Sequence, residues 1–380
     1  MNPFYFYIMS NIICLLIYQL NWSNSFGKIS TNLMLFYLFT ILISFLLGFI
    51  LNNLVDLKFK TNDLNINFKK HLKILLILCV IQIILQPNVP LLSILLRGID
   101  NHLEYGIPLV FPFILTFSSF LGVAAFYQWL HFKEKIYLLY VVLTFIPSVI
   151  FFMRGISSIT LLAIIVMFFI QFITKIQMKQ FLLIIVVTIL SMYLFGVAGN
   201  ARLPAGQDIL VNGNASIKFT ESGIPKEFFW IYMYIASSIA NLVLNTSFIV
   251  TDLDFIGLFT SEIVPNIISQ FFAEERIEVI RLLPTFTVGT LFTRGYNYFG
   301  WAGIYIMFVI FSLFNFFWLI LINTINKRYI QIINVFLCTT AFFTVFTNMM
   351  VETSIVFPLI LCSLFGYFTY INKNSLRKSK

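Results

Sequence analysis

The sequence predicts an all-α polytopic transmembrane helical bundle of about 10–12 spans with one large outer loop, and three observations carry that prediction. Of its 380 residues, 60% are hydrophobic and only 10% are charged, with a mean hydropathy of +0.94. A soluble chain of this length needs far more polar surface to cover a core. Apolar runs of about 17–25 residues, the helical length that crosses a bilayer, recur from end to end. These runs are continuous, unlike the short alternating segments of a membrane β-barrel.

Spans are expected near residues 3–21, 33–51, 72–87, 109–130, 136–152, 157–173, 181–198, 299–323, 330–350 and 354–371. The first lacks a basic flank and a small-residue cleavage site, so it reads as a span and not as a signal peptide. The loop 52–73 carries Lys58, Lys60, Lys69, Lys70 and Lys73. By the rule that positive loops stay inside, this loop is cytoplasmic and so is the N-terminus. The short basic segments 131–135, 174–180 and 326–329 and the basic tail 372–380 then fall on the same side. The net charge of +9 marks that face and implies no nucleic acid. Residues 136–173 as one helix would measure about 57 Å, nearly twice a bilayer core, so a turn is expected at Arg154-Gly155 on the outer side.

The chain thus divides into an N-terminal bundle of about seven spans (1–198), a large outer loop (199–298), C-terminal spans (299–371) and the tail. Within the loop, residues 228–250 are apolar enough to cross. A lone crossing would put the basic C-terminus outside. The segment is therefore expected to be re-entrant or interfacial, covered by protein, or to cross with a returning partner at 255–272, which gives the count of twelve. The four cysteines, Cys14, Cys79, Cys338 and Cys362, lie within apolar runs without ligand spacing and are expected to be inert thiols.

Lysine and arginine part company in this topology. Thirteen of 16 lysines fall inside, whereas six of eight arginines, Arg97, Arg154, Arg202, Arg276, Arg281 and Arg294, fall outside. The planar guanidinium grips phosphate through two parallel bonds and keeps its charge. Six on one face point to an anionic ligand, although residues 198–298 carry a net charge of −3, so placement must do the work. The competing expectation is local pairing: Glu278 with Arg281 three residues on along a helix, and Arg97 with Asp100.

A reaction here needs a proton acceptor tuned to working pH. His102 and the carboxylates of 252–278, Glu274 and Glu275 foremost, are the candidates. Asp252-Leu-Asp254 could hold a divalent ion, but no glycine-rich phosphate loop, zinc pattern or nucleophile motif accompanies it. No cofactor, no metal and no ATP-driven chemistry are expected. The stretch "YNYFGWAG" (296–303) is either an interfacial aromatic belt or a platform for a sugar ring.

The scattered outer arginines, the late outer loop and the stretches "GNARLPAG" (199–206), "FFWIYMYIASSIANL" (228–242) and "YNYFGWAGIYIMF" (296–308) together resemble the O-antigen polymerases, the oligosaccharide repeat-unit polymerases. Tyr232-Met-Tyr234 and Asn241-Leu242 match a pattern of that family, and Ser238 stands where it often has proline. The resemblance implies a fold similar to C-type glycosyltransferases in the bacterial cytoplasmic membrane. It implies polymerisation of undecaprenyl-pyrophosphate-linked oligosaccharides into O-antigen or capsular polysaccharide on the outer face, alongside a flippase and a chain-length regulator. The six arginines would hold pyrophosphate, Tyr232, Tyr234, Tyr296 and Tyr298 would stack on sugars, and His102, Glu274 or Glu275 would act as base. An O-antigen ligase and a lipid-linked oligosaccharide flippase are the alternatives.

Overall fold

A computed structural model describes residues 1–97, 104–172, 177–201, 203, 207–271, 277–283 and 286–378. Among these the chain is all-helical, with one isolated bridge, Ser23 to Ala215, as its extended pairing. In order the helices are α1 (Pro3–Tyr18), α2 (Thr31–Leu54), α3 (Phe68–Leu85), α4 (Pro90–Arg97), α5 (Val110–Phe132), α6 (Lys135–Thr144), α7 (Ile146–Ile150), α8 (Arg154–Phe172) and α9 (Met178–Asn200). There follow α10 (Ile209–Asn212), α11 (Ile217–Thr220), α12 (Glu227–Asn245), α13 (Phe255–Glu262), α14 (Asn266–Ser269), α15 (Leu291–Ile325), α16 (Ile330–Phe343) and α17 (Thr353–Lys378). Six of them, α2, α5, α8, α9, α12 and α15, are long and apolar enough to cross a membrane, and shorter apolar helices accompany them. The protein is a helical polytopic membrane protein.

Local chemistry sets several boundaries. Asn2 accepts from the Tyr5 amide and Pro3 opens α1, a position where its missing N–H costs nothing. Ser30 caps α2, and Asn67 caps α3. The fold-back expected at Arg154-Gly155 is present but lies just before them: Phe152 adopts φ 57°, and Arg154 and Gly155 already belong to α8. Gly122 of α5 faces both Thr144 and Thr160. Those two lie eight residues either side of Phe152, as a hairpin requires. Helix α5 is the hub and is buried along nearly its whole length. There, Thr160 donates to Ser119 at 2.8 Å, so each buried hydroxyl has a partner.

One end of the bundle gathers the lysine-rich segments. Tyr329 donates to the Leu64 carbonyl, Tyr127 to Lys60, Gln331 to Lys58 and Asn334 to Met1. These bonds strap the 55–67 loop across the lysine end and bring the N-terminus beside it. The other end, the arginine end, holds residues 19–30, where Ser216 and Gly213 bond to Trp22 and Ser23.

Helix α12 does not pass through the bundle. Its start lies against the end of α9, where Gly196 and Gly199 leave room for Glu227 and the Trp230 ring. Its middle meets Cys14 and Tyr18 at the end of α1, and its last turns reach Gly27 and Tyr296. All of these contacts belong to the arginine end, so α12 lies along that end of the bundle.

Two features differ from the expected spans. Helix α15 folds back on itself at Phe299 and Gly300, whose dihedrals leave the helical region. Gly295 and Gly303 then meet backbone to backbone. The limb 291–298 is thus a re-entrant half-helix: Phe292 reaches Tyr7 and Tyr37, well inside the bundle, while Trp301 and Tyr305 lie beside Asn32 and Leu35 near the start of α2. The other difference is α16, which ends at Phe343 and not at 350. The polar run Thr344, Thr347 and Asn348 leaves the helix and supplies backbone partners: Gly289 donates to Phe346 and Leu291 to Thr344.

Candidate functional site

The re-entrant limb, the unwound 344–349 segment and the interfacial helix enclose a cavity of about 730 Å³ at the arginine end. Gly155 and Ser158 of α8, Phe195 of α9, Tyr234 of α12, residues 287–290 and Phe343 and Phe346 contribute to its wall. Arg294, Glu262 and Asn348 also line it and bond to one another.

Their geometry is built from three distant parts of the chain. Thr290 caps α15 by accepting from the Phe292 amide, which places Arg294 one turn into the limb. Glu262 ends α13, whose start is fixed by Asp254 accepting from Gly257 at 2.7 Å. Asn348 donates to the Glu262 carbonyl at 2.8 Å and to its Oε2 at 3.1 Å, and accepts from the Met350 amide. Arg294 Nη1 lies 3.5 Å from Glu262 Oε1. Glu262 is 1% exposed in its side chain and Arg294 35%. Such a carboxylate is tolerated only because donors reach both oxygens. The Arg294 Nε is buried and has no acceptor among the described residues. A buried charged donor without a partner is costly; the rest of the Arg294 side chain is 35% exposed and lines the cavity, where an anion could reach it.

The wall at 280–288 is held by two asparagines of α12. Asn241 donates to the Phe286 and Val288 carbonyls and accepts from the Leu282 amide. Asn245 donates to Ile280 and accepts from its amide. Asn241→Ala is expected to leave three backbone groups unpaired, at about 1–3 kcal/mol for each that stays dry. Limited proteolysis of the purified protein should then cut within 280–288 several-fold faster than in wild type.

The expected site residues separate. Arg294 and Tyr234 line the cavity. Arg154 lines an adjoining cavity of about 460 Å³, its guanidinium 4.8 Å over the Phe152 ring. Arg281 is exposed and lines neither. The segment expected to pair it with Glu278 on a helix is not helical there, because its amides bond to Asn241, Asn245 and Tyr298 instead. Arg97 ends α4, but its side chain lies outside the described residues, as do Arg202, Arg276, His102, Glu274 and Glu275. The proposed Arg97–Asp100 pairing falls there too.

Three of the four tyrosines point into protein. Tyr232 is 2% exposed, accepts from the Trp22 amide and stacks on Phe26 and Phe229. Tyr296 donates to the Phe248 carbonyl at 2.9 Å with its ring edge-on to Trp301. Tyr298 bonds to Ser261 and accepts from the Ile277 amide. Their rings hold α12 and the α15 turn in place and offer no face to a sugar. Tyr234, edge-on to Phe195 at 5.2 Å, is the member of the set at the cavity. All four cysteines are free and buried. Among the described residues no group of three His, Cys, Asp or Glu could hold a metal, and Asp254 is occupied as a helix cap.

Asn348 and the pairing role of Glu262 escaped the sequence. Glu262 was one of a dozen outer carboxylates, and Asn348 sat in an apolar run. The available signal was that amide itself, since a polar side chain inside a span marks function or a helix contact.

No family model, no curated protein and no solved structure matches the chain.

Proposed function

We propose that the protein is a membrane glycosyltransferase that polymerises undecaprenyl-pyrophosphate-linked oligosaccharide repeats into O-antigen or capsular polysaccharide. The reaction would take place at the arginine end of the bundle, facing outward from the bacterial cytoplasmic membrane, with both termini in the cytoplasm. The observation that carries the proposal is Arg294, held by a buried carboxylate while its 35% exposed side chain lines a cavity of about 730 Å³.

In this mechanism the growing chain's diphosphate lies against Arg294. The acceptor's sugar hydroxyl attacks the anomeric carbon, and the bond from that carbon to the diphosphate oxygen breaks. Its electron pair stays on the leaving diphosphate, where negative charge grows. A donor already aimed at that charge lowers the barrier, and its removal typically costs about 10²- to 10³-fold in rate. Glu262 and Asn348 hold the donor and keep it from reorienting during the step. Tyr234 lines the cavity where the sugar would lie. The carrier's apolar tail would run along α9, of which only Gly196 and Gly199 are buried.

Deletion of the protein followed by polysaccharide laddering tests the assignment. Chains capped at one repeat are the expected result. Long lipid-linked polymer that fails to reach its final acceptor would identify a ligase instead. Repeat units trapped on the cytoplasmic side would identify a flippase.

A further inference from the structure

Helix α13 reverses the usual sidedness of a surface helix. Its polar end, Ser261 and Glu262, is buried together with Leu258, while Phe255, Ile256 and Phe259 face outward. The loop before it does the same. Phe248, Ile249 and Leu253 are exposed, Ile249 at 89%, against 76% for Ile256 on the helix. One exposed apolar side chain is ordinary, but six within residues 248–259 form a patch that calls for an apolar partner.

The position of α13 says what that partner is. The helix runs beside the re-entrant limb of α15, in the opposite direction. Phe255 packs edge-on to Phe299 at the turn, the Asp254 amide donates to the Tyr298 carbonyl at 2.9 Å, Tyr298 bonds to Ser261, and Glu262 reaches Arg294. From the turn the limb leads inward to Phe292, which touches Tyr7 and Tyr37. Helix α13 therefore descends along the limb, over about 12 Å for its eight residues. Just past the same turn, Trp301 lies near Leu35 of α2, and Tyr305 meets Phe39 edge-on at 5.9 Å. There begin the exposed apolar faces of α2 (Leu42, Phe49) and α15 (Val309, Phe317), which lipid covers in helices that cross a membrane. Only Phe299 and Gly300 separate the patch from that lipid-covered surface.

We propose that residues 248–259 are seated in the leaflet at the arginine end, their apolar side chains among phospholipid acyl chains and Asp252 and Asp254 at headgroup level. The depth is that of an amphipathic segment lying in the interface, about 5–10 Å into the leaflet. Charge takes no part in the seating. Residues 246–272 contain no lysine or arginine, so attraction to anionic headgroups is not available to them. Helix α13 then stands as a wall between lipid on its outer face and the Arg294 cavity, which Glu262 lines from its inner face. Lipid backs the helix that holds Arg294, whatever reaction the cavity serves.

The test is photo-cross-linking of the full-length protein in phosphatidylcholine nanodiscs, with a phosphatidylcholine carrying a diazirine on one acyl chain and adducts mapped by mass spectrometry. The lipid face of α2 (38–49) is the positive reference and the exposed loop 220–223 the negative one. Adducts at 248–259 are expected within about threefold of the α2 level and at least tenfold above the loop. Ile249→Glu combined with Ile256→Glu is expected to lower them at least fivefold while the α2 adducts stay unchanged, which also shows that the variant is folded in the disc. Adducts at 248–259 no higher than those of the loop in wild type would overturn the proposal. So would protein–protein cross-links from this segment in place of lipid adducts, which would identify a second copy as its cover. Adducts that form only with anionic lipid, or that vanish in 1 M salt, would overturn the apolar seating, because they would report attraction to headgroups.

Discussion

Replacing Arg294 by glutamine is expected to eliminate long polysaccharide chains, with a loss of about 10²- to 10³-fold in polymerisation rate. The size of the effect follows from where the residue sits. Its side chain is tied to Glu262 yet 35% exposed in the cavity wall, so the protein holds a charged donor within reach of a ligand. Glutamine cannot supply a second parallel N–H or a positive charge. The substitution also has a structural consequence that must be separated from the chemical one. Glu262 is buried and would lose one of its donors, and breaking a buried pair destabilises by about 3–5 kcal/mol. That figure is an upper bound here, since the Arg294 side chain is 35% exposed and water screens it. The double variant Glu262→Gln, Arg294→Gln removes the stranded charge. It should recover the wild-type protein level in the membrane and still show no polymer ladder. Arg294→Lys should fail as well, because one ammonium cannot face Glu262 and a diphosphate through two separate nitrogens. A normal ladder in the double variant would show that Arg294 serves only to satisfy Glu262.

The sequence made some of this visible and hid the rest for physical reasons. Hydropathy located the long helices because lipid demands apolar length, whatever each helix packs against. Charge parity bears on whether 228–250 crosses, but it does not say which elements α12 packs on, which the contacts with α1 and α9 define. The need for a fold-back within 136–173 followed from length, but the expected position, Arg154-Gly155, is already helical and the chain turns at Phe152. The site was less accessible. Arg294, Glu262 and Asn348 come from separate elements, and their association depends on two backbone events that hydropathy cannot register. One is the reversal at Phe299–Gly300. Apolar residues continue through it from Tyr298 to Trp301, so a window average sees a single span with a loop before it. The other is the early end of α16, where the next residues remain apolar enough to read as membrane. Tyr232, Tyr296 and Tyr298 show the converse. The family resemblance implied sugar contacts for them, yet each hydroxyl has a protein partner, which is the usual arrangement for a buried tyrosine.

Gly303→Leu should be the most damaging single change to the fold. The two limbs of α15 touch at Gly295 and Gly303, and a Cβ at position 303 would fall on the Gly295 carbonyl oxygen. Backbone cannot yield there as a flexible side chain would. Met307, on the same limb as Gly303, also packs against Gly295, and the limb Gly295 belongs to starts at an amide bonded to Thr344. Pushing the limbs apart therefore pulls Arg294 from Glu262 and opens the wall at 287–290 in the same movement. Overpacking of this kind costs about 1–3 kcal/mol when neighbours can shift, and more when they are backbone. The expected result is a fall in the apparent melting temperature of several degrees by size-exclusion thermal challenge, together with loss of polymer. Gly303→Ala should lie between this variant and wild type. Gly223→Ala offers the contrast: Gly223 has φ +70° but nothing within 4 Å of an added Cβ, so only a local backbone penalty applies and the ladder should stay normal. If Gly303→Leu keeps wild-type stability and chain length, the limbs of α15 do not pack against each other, and the re-entrant placement of Arg294 falls with them.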